Sequence, residues 1–333
     1  MIVKASTNPL VKVDALTVQF TTHARGRRTT IEPVSKVSFE IAEGEVLALV
    51  GESGSGKTTI GRTLVKIVEA TSGQIYFAGR NITRIRSQAV RSLHAEVQMI
   101  FQDPFAALNP TATIQEHLAL PAHVYQHISR SAMDQKVREL LDEVGLSPAD
   151  EFRGKYPHEL SGGQRQRVVI ARALAANPRF IVADEPVSML DVSIRADILR
   201  ILRDLKERLS ISLLYITHDL ASARYLSDRI MVLYGGKIME VGTARDIVKN
   251  PRHPYTQLLL AAVPGRTEAL PQVAEAAPDL SVGSQGCPFA PRCPYTMDAC
   301  RTQPIPIISV ESQHEVACLF SEMADAVTPS SSP

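Results

Sequence analysis

The residues best suited to chemistry form a glycine-rich run, Gly51 to Thr58, with the sequence Gly-Glu-Ser-Gly-Ser-Gly-Lys-Thr. Its glycines let the backbone turn sharply, so that several amide N–H groups can point at one phosphate. Lys57 can reach the terminal phosphates of a nucleoside triphosphate, and the Thr58 hydroxyl can hold Mg²⁺. An apolar run precedes the glycines and an amphipathic run follows them. Because the required strand–loop–helix context is present, a chance glycine–serine turn is a poor explanation.

Two carboxylates, Asp184 and Glu185, follow another apolar run that begins at Arg179. Asp184 suits a contact with Mg²⁺, direct or through water, and Glu185 is placed to accept a proton from an attacking water. A lone pair of strand-end carboxylates would usually be a solvated turn. Their position after the phosphate loop, in a pattern of parallel strands, favours the catalytic interpretation.

Three further residues each end a predicted strand. Gln102 could touch Mg²⁺ or the attacking water through its carbonyl, and His218 could contact the γ-phosphate. Taken alone, the glutamine would be an ordinary turn residue and the histidine a structural one. Phe20 could stack on an adenine ring, although the pattern by itself favours a core phenylalanine over an adenine contact.

A second candidate phosphate site begins at Leu160, where the sequence is Leu-Ser-Gly-Gly-Gln. Ser161 and Gln164 stand three apart, as in a capping box, so a well-capped helix start is the simplest explanation. The glycine pair Gly162 and Gly163 favours a second phosphate-binding helix terminus, because a cap needs only the serine.

These residues need a parallel sheet with flanking helices to hold them. Apolar or alternating runs predict strands at 11–20, 34–41, 46–50, 72–79, 96–102, 179–184, 211–217, 228–234 and 237–241. Helical spacing of apolar residues predicts helices at 57–68, 133–144, 165–176, 192–208 and 244–250. The stretch 111–176 is mostly helical.

Composition indicates a soluble chain of 333 residues, with 44% hydrophobic residues, 21% charged residues and a net charge of +1. That balance provides no global field to recruit nucleic acid or an anionic membrane. No apolar run reaches the ~18 residues that would span a bilayer, and the first residues lack an apolar signal core. We therefore expect a cytosolic protein, in which the four cysteines between 287 and 318 favour metal ligation over disulfides.

Taken in order along the chain, these features resemble the ATP-binding subunit of ATP-binding-cassette (ABC) transporters over roughly residues 11–250. The resemblance implies an α/β P-loop NTPase fold, with a parallel-sheet core, an antiparallel β subdomain and a helical subdomain at about 103–176. Met189 departs from the family's pattern, which has alanine there. The resemblance also implies an ATPase whose hydrolysis of ATP to ADP and phosphate is coupled to solute import.

Site residues follow from the same resemblance. The implied catalytic residues are Glu185, His218 and Gln102. The implied contacts to ATP and Mg²⁺ come from the phosphate loop, the first strand and two strand ends: Phe20, Gly51, Ser53, Gly54, Ser55, Gly56, Lys57, Thr58, Thr59, Gln102 and Asp184.

The family works as a pair of cassettes stacked head to tail, with each ATP between the phosphate loop of one and a segment of the other. The residues implied to act across the pair are Ser161, Gly162, Gly163, Gln164 and Asp191. Binding would close the pair, and hydrolysis would reopen it and move a membrane partner. The chain would then lie peripherally at the cytoplasmic face of the inner membrane.

The C-terminal region resembles the extension of importer ATPases for dipeptides, oligopeptides or nickel. Relatives of these importers carry oligosaccharides. The resemblance rests on Asn250–Thr256, Gly286–Pro294, Cys300 and the His314-x₃-Cys318 spacing. It implies a second ABC ATPase subunit that is a paralogue, two transmembrane permease subunits and an extracytoplasmic solute-binding protein, with no nucleic acid.

The cysteines of this extension, Cys287, Cys293, Cys300 and Cys318, are expected to hold a [4Fe–4S] cluster. Their wide, irregular spacing is unlike the paired C-x₂-C of zinc ribbons. Two alternatives stay open: a zinc site with His314 as a ligand, and reduced thiols without a metal.

The predicted domains are a nucleotide-binding domain at 11–250, the extension at 251–323 and a disordered tail at 324–333, with a linker at 265–285. A soluble ABC ATPase of DNA repair, chromosome maintenance or the ribosome is the main alternative from another class. It is disfavoured by the single cassette, the terminal position of the cysteines and the acidic C-terminal region. A regulatory protein that binds ATP without hydrolysing it is disfavoured because Glu185 and His218 are both present.

Overall fold

A computed structural model describes residues 9–24, 27–262, 280–283 and 285–320. Most of the predicted linker at 265–285 and all of the predicted tail at 324–333 lie outside the described residues. Within them, no helix is both long and apolar enough to cross a bilayer.

The described residues form two sheets. Their strands are β1 Val11–Ala24, β2 Arg27–Ile41, β3 Val46–Val50, β4 Ser72–Phe77, β5 Arg80–Asn81, β6 Val97–Ile100, β7 Phe180–Asp184, β8 Ser212–Thr217, β9 Arg229–Tyr234, β10 Lys237–Thr243, β11 Ile308–Glu311 and β12 His314–Val316. The larger sheet has the order β11-β12-β10-β9-β3-β8-β7-β6, and the smaller has the order β2-β1-β4-β5.

The helices lie around and between these sheets. They are α1 Lys57–Leu64, α2 Gln88–Glu96, α3 Pro104–Ala107, α4 Ile114–Gln126, α5 Arg130–Glu143, α6 Asp150–Arg153, α7 Gly162–Leu174, α8 Val192–Leu209, α9 Leu220–Leu226, α10 Ala244–Lys249, α11 Pro254–Ala261 and α12 Asp298–Thr302. A short 3₁₀ helix covers Pro157–Glu159.

The centre of the large sheet is parallel and buried on both faces. Strands β6, β7, β8, β3 and β9 pair in parallel, and every residue of β3, β7 and β8 is buried. Strands buried on both faces need continuous apolar runs, which explains why these segments lack alternation. Because parallel strands share a direction, the residues that follow β3, β6, β7 and β8 meet at one edge of the sheet.

Side chains of β3 alternate between two cores. Val46, Ala48 and Val50 belong to one cluster together with α4, α5, α7 and α8, whereas Leu47 and Leu49 pack against the antiparallel sheet. Burial of such aliphatic side chains contributes about 1.5–3 kcal/mol each. The strand that leads into the phosphate loop is thus fixed from both sides.

The C-terminal extension adds strands to the large sheet, which the sequence analysis did not predict. Strand β12 pairs antiparallel with β10, Glu240 opposite Val316, and β11 pairs with β12. The fully buried carboxylate of Glu240 accepts hydrogen bonds from the backbone N–H groups of Arg252 and His253. His314 Nε2 lies 2.7 Å from the same carboxylate. The buried carboxylate of Glu240 therefore anchors the extension to the cassette, and His314 contacts the same carboxylate.

Several element bounds differ from the predictions. Strand β1 continues past Phe20 to Ala24, and α1 ends at Leu64, four residues before the predicted Val68. Lys66 has a positive φ of 61°, so the chain leaves the helix to reach β4. Helices α2, α9, α11 and α12 were not predicted, because each is short and has few apolar repeats.

Candidate nucleotide site

The glycine-rich loop connects β3 to α1 and is wedged between two other strands. Gly56 has φ = 104°, and a Cβ there would lie 2.1 Å from the carbonyl oxygen of Pro33. A Cβ on Gly51 would lie 2.1 Å from the carbonyl oxygen of Leu233. Glycine is therefore required at position 56 by its backbone conformation and by the close approach of Pro33. At position 51 it is required by the close approach of Leu233.

Lys57, the first residue of α1, folds back over this loop. Its Nζ donates hydrogen bonds to the carbonyl oxygens of Gly51 and Glu52, at 2.7 and 2.8 Å. Burial lowers the pKa of Lys57, and the nearby carboxylates of Glu185, Asp184 and Glu52 oppose that shift. The ammonium group thus lies inside the loop, within reach of any phosphate bound there.

Thr58 and Asp184 meet beside the loop. The Thr58 hydroxyl donates a hydrogen bond to Asp184 Oδ1 at 2.9 Å. Burial raises the pKa of Asp184, against the hydrogen bond from Thr58 that lowers it. A hydroxyl and a buried carboxylate side by side are oxygen ligands of the kind that Mg²⁺ prefers, so the pair fits the predicted metal contact.

Glu185 lies at the centre of three strand ends. Gln102 Nε2 donates to Glu185 Oε2 at 3.2 Å, and His218 Nδ1 lies 3.4 Å from the same oxygen. Glu185 has a positive φ of 46°, and its N–H donates to the carbonyl oxygen of Ile216 at 2.9 Å. The three predicted catalytic residues are therefore brought together, although they come from distant parts of the chain.

A cleft of about 830 Å³ contains these groups. Phe20 lines the cleft and is 38% exposed, so the core position favoured by its sequence pattern alone is wrong. Leu259 and Leu280 of the extension also line the cleft. No sequence signal pointed to these two leucines. The residues described along the cleft comprise the phosphate loop and the side chains opposite it: Phe20, Ile31, Pro33, Gly51, Glu52, Ser53, Gly54, Ser55, Gly56, Lys57, Thr58, Thr59, Gln102, Glu185, His218, Leu259 and Leu280.

The segment at 160–164 lies elsewhere. None of the described residues that line the cleft comes from it, and Asp191 is also absent from that lining. Ser161 caps α7, and both bonds of the capping box with Gln164 are present. A Cβ on Gly163 would lie 2.6 Å from Ile194 Cγ2, so packing against α8 explains this glycine. Within one chain, helix capping accounts for Ser161 and Gln164, and packing against α8 accounts for Gly163.

Gly162 is different, because neither packing nor backbone conformation requires it. A Cβ there would have Leu190 Cδ2 as its neighbour at 3.8 Å, which is ordinary contact. A glycine with this freedom at a helix start is compatible with close approach of a ligand or another chain.

The sequence analysis missed two residues of the extension that touch the phosphate loop. The Glu52 N–H donates to the Tyr255 hydroxyl at 2.8 Å, and Arg292 Nη1 donates to Glu52 Oε2 at 2.7 Å. Their sequence separations from Glu52 are 203 and 240 residues. No spacing rule links residues so far apart.

The four cysteines converge on one small cavity of about 20 Å³, which His253 also lines. None of these four described cysteines forms a disulfide, and burial raises the pKa of Cys287 to about 12. Burial also raises the pKa of Cys293. Among the described residues, no group of three or more His, Cys, Asp or Glu side chains forms a metal site.

Two family descriptions match this chain. Residues 34–188 match "ABC transporter", and residues 239–300 match "Oligopeptide/dipeptide transporter, C-terminal region". A Brucella ovis protein named "Putative peptide import ATP-binding protein" is 44% identical over 317 residues, which cover 93% of this chain and 98% of that protein. A Brucella abortus protein with the same description is 45% identical over 314 residues, 93% of each chain.

Solved structures agree with this fold. The dimeric post-hydrolysis structure of the ATP-binding cassette MJ0796, bound to ADP and Pi, superposes with a TM-score of 0.63 at 29% identity. The superposition covers 71% of this chain and 99% of the MJ0796 chain. The cbiO1 structure from Clostridium perfringens has the same TM-score of 0.63 at 25% identity. This chain therefore belongs to the ABC transporter ATPases, with a P-loop cassette fold and the C-terminal region of oligopeptide and dipeptide transporters.

Proposed function

We propose that this chain is the ATP-hydrolysing subunit that powers uptake of dipeptides or oligopeptides through an ABC importer. The observation that carries the proposal is the match of residues 239–300 to the oligopeptide and dipeptide transporter region. Relatives named for peptide import extend over 93% of the chain, so the similarity is not confined to the cassette.

ATP would lie in the cleft at the phosphate loop. The loop's amide groups and Lys57 would hold the phosphates, and Phe20 would stack on the adenine. Thr58 and Asp184 would hold Mg²⁺, which neutralises phosphate charge when bound. The 2.9 Å contact between these two side chains supports their joint role.

Glu185 would accept the proton of the attacking water. Gln102 and His218 both approach Glu185 Oε2, so they would orient this carboxylate and the water beside it. The left-handed backbone of Glu185 supports a functional role, because such conformations persist where the surroundings enforce them.

The site would be completed by a second cassette, with Ser161, Gly162, Gly163, Gln164 and Asp191 acting across the pair. Their position away from the cleft of their own chain supports this arrangement. Neither packing nor backbone conformation requires a glycine at position 162, and this supports close approach of a phosphate there. The similar cassette MJ0796 is described as dimeric. The partner ATPase would be a paralogue, and closure on ATP would drive the permeases.

A groove of about 1,090 Å³ would receive a cytoplasmic segment of a permease subunit. Residues of α4 line it, and Leu120 is 65% exposed there. A groove with a mostly apolar lining, more than a single exposed leucine, is typical of an interaction site. The groove also includes Gln98 of β6, and the same strand leads to Gln102, so β6 would connect a bound segment with the catalytic glutamine. This docking would hold the chain at the cytoplasmic face of the inner membrane, and an extracytoplasmic solute-binding protein would deliver cargo to the permeases from the opposite side.

For the cysteines we propose a [4Fe–4S] cluster held by Cys287, Cys293, Cys300 and Cys318. Four thiols around one cavity offer the donor set of such a cluster, and His314 is not among the described residues that line this cavity, which disfavours a zinc site that uses this histidine. A 20 Å³ cavity holds about one water, so a cluster needs the thiols to move outward. Iron and sulfide assay with a visible spectrum of anaerobically purified protein tests this. An iron-free, colourless sample would exclude the cluster.

The domain boundaries are proposed as 11–250 for the cassette and 251–323 for the extension. The pairing of β12 with β10 gives the two a common sheet, so we expect them to fold together.

Transport by the reconstituted complex tests the proposal. The chain would be co-purified with its permeases and solute-binding protein, reconstituted in vesicles, and assayed with dipeptides, oligopeptides, nickel and oligosaccharides. Stimulation of ATP hydrolysis and uptake by peptides alone is expected. Stimulation only by nickel or an oligosaccharide would replace the peptide assignment. Activation by DNA without any permease would place the chain in the DNA-repair class.

A further inference from the structure

The extension grips the phosphate loop at one residue, Glu52. Arg292 Nη1 donates a hydrogen bond to the Glu52 carboxylate at 2.7 Å. The Tyr255 hydroxyl accepts a hydrogen bond from the Glu52 backbone N–H at 2.8 Å. One contact fixes the side chain and the other fixes the main chain. Glu52 stands directly after Gly51, so both contacts act on the first turn of the loop.

Tyr255 and Arg292 are themselves held in an aromatic cluster of Tyr234, Tyr255 and Phe289. The ring centroids lie 4.6 Å apart for Tyr234 and Tyr255, and 5.3 Å apart for Tyr255 and Phe289. The Arg292 guanidinium lies 5.6 Å from the centres of the Tyr234 and Phe289 rings. Its Nη1 also donates to the Tyr234 hydroxyl at 3.2 Å. Packed aromatic rings and a stacked guanidinium form a rigid support.

The positive charge of Arg292 has a specific role because Glu52 is negatively charged. A carboxylate in a loop that binds phosphates would repel them, and Arg292 offsets that charge. The hydrogen bond that Arg292 donates to the Glu52 carboxylate is the main reason that the pKa of Arg292 is raised. The Glu52 side chain is 38% exposed and that of Arg292 is 15% exposed, so solvent screens the pair only in part.

We propose that Arg292 and Tyr255 are positioning residues for the nucleotide site. They hold the start of the phosphate loop in its binding geometry, and Arg292 cancels the negative charge that Glu52 brings to it. The inference rests on the proposed function only in that the loop must bind nucleotide. It assigns to the extension a direct role in nucleotide affinity.

Calorimetric titration of the full chain with Mg-ADP tests Arg292, because ADP occupies the loop without hydrolysis. Arg292→Ala is expected to weaken binding about three- to fivefold, which is the upper part of the range for a partly exposed charge pair. Arg301→Ala is the matched control, since it removes the same charge from an exposed position of the same extension. It should leave affinity within twofold of the wild type.

A rescue variant separates positioning from general damage. Adding Glu52→Gln to Arg292→Ala removes the uncompensated charge, so the double variant should regain the affinity of Glu52→Gln alone within about twofold. A merely structural Arg292 would give no such recovery. Equal weakness of the double variant and Arg292→Ala, with unchanged thermal unfolding midpoints, would overturn the charge argument.

Tyr255→Phe tests the main-chain contact. The ring stays in its cluster, while the partly buried N–H of Glu52 loses its acceptor, which costs affinity if the loop shifts to find another. A two- to fivefold loss of Mg-ADP affinity with an unchanged unfolding midpoint is expected. Wild-type affinity in both Tyr255→Phe and Arg292→Ala would refute the inference. Absence of Mg-ADP binding by the wild type would instead refute the nucleotide site itself.

Discussion

At the scale of single residues, Glu185 combines chemistry with an unusual backbone. Its φ of 46° turns the carboxylate toward Gln102 and His218, and the bond from its N–H to Ile216 holds that conformation. A non-glycine residue outside the usual φ/ψ regions lowers the stability of the fold by about 1–3 kcal/mol. The surrounding strand ends enforce this geometry, and this supports a role in the reaction rather than in folding.

Substitution Glu185→Gln should nearly abolish ATP turnover while nucleotide still binds. The amide keeps the shape and can still accept from Gln102, but it cannot take a proton from water. General-base catalysis contributes about 100- to 10,000-fold, so phosphate release should fall at least 100-fold. The ATP-bound pair should also persist, as measured by light scattering.

A matched control for this variant is Glu139→Gln, an exposed carboxylate on α5. It should hydrolyse ATP at the wild-type rate in the same assembly. Full turnover by Glu185→Gln would remove Glu185 as the base.

Acid should destabilise the protein through His253. Burial lowers its pKa to about 4, and the attraction of Glu240 offsets this in part. Because an unfolded histidine titrates near 6.5, the unfolded state binds more protons between pH 6.5 and 4. The stabilisation is thus complete above pH 6.5 and is lost as the pH falls toward 4, with about 2 kcal/mol lost by pH 5.

His253→Asn isolates this effect. The His253 Nδ1 accepts from the Tyr255 N–H as the cap of α11, and asparagine can serve as such a cap without titrating. Denaturant unfolding at pH 7 and pH 5 should show a smaller acid loss in the variant by about 2 kcal/mol. Equal losses in both proteins would count against His253.

At the scale of elements, the phosphate loop depends on glycines that touch neighbouring strands. Gly56→Ala would place a methyl group 2.1 Å from the Pro33 carbonyl oxygen in a left-handed conformation. We expect destabilisation by about 1–3 kcal/mol and loss of Mg-ADP binding, measured by thermal unfolding and calorimetry.

Gly154→Ala provides the comparison, since among the described residues no atom beyond its chain neighbours lies within 4 Å of a Cβ there. It should keep both stability and affinity. Normal Mg-ADP binding by Gly56→Ala would show that the loop has another geometry.

Much of the cassette could be predicted at this scale. Continuous apolar runs predicted β3, β7 and β8, and the residues after them could be placed at one edge because parallel strands end together. The loop glycines could be predicted from their spacing, and Glu185 from its place at the end of an apolar strand. The extension could not be predicted in the same way. Strands β11 and β12 are 4 and 3 residues long, and their burial depends on pairing with β10.

At the scale of the whole molecule, the extension is part of the ATPase rather than an appendage. It continues the central sheet, is fixed by Glu240, and contacts the phosphate loop through Tyr255 and Arg292. These contacts join residues more than 200 positions apart, so only the folded chain reveals them. The cysteine cavity lies in the same region, beside the residues that support the loop.

The cleft is partly open, and none of the described residues that line it comes from the 160–164 segment. We therefore take the site of one chain to be half of a working site. Ser161→Arg would place a large cation where the partner's nucleotide must approach.

ATP hydrolysis by the assembled transporter is the most direct measurement of this claim. Ser161→Arg, which leaves the chain's own cleft intact, should lose more than 90% of the rate because two cassettes can no longer close on ATP. Ser131→Arg, at an exposed serine of α5, should retain the wild-type rate. A wild-type rate in Ser161→Arg would contradict a nucleotide site shared between two chains.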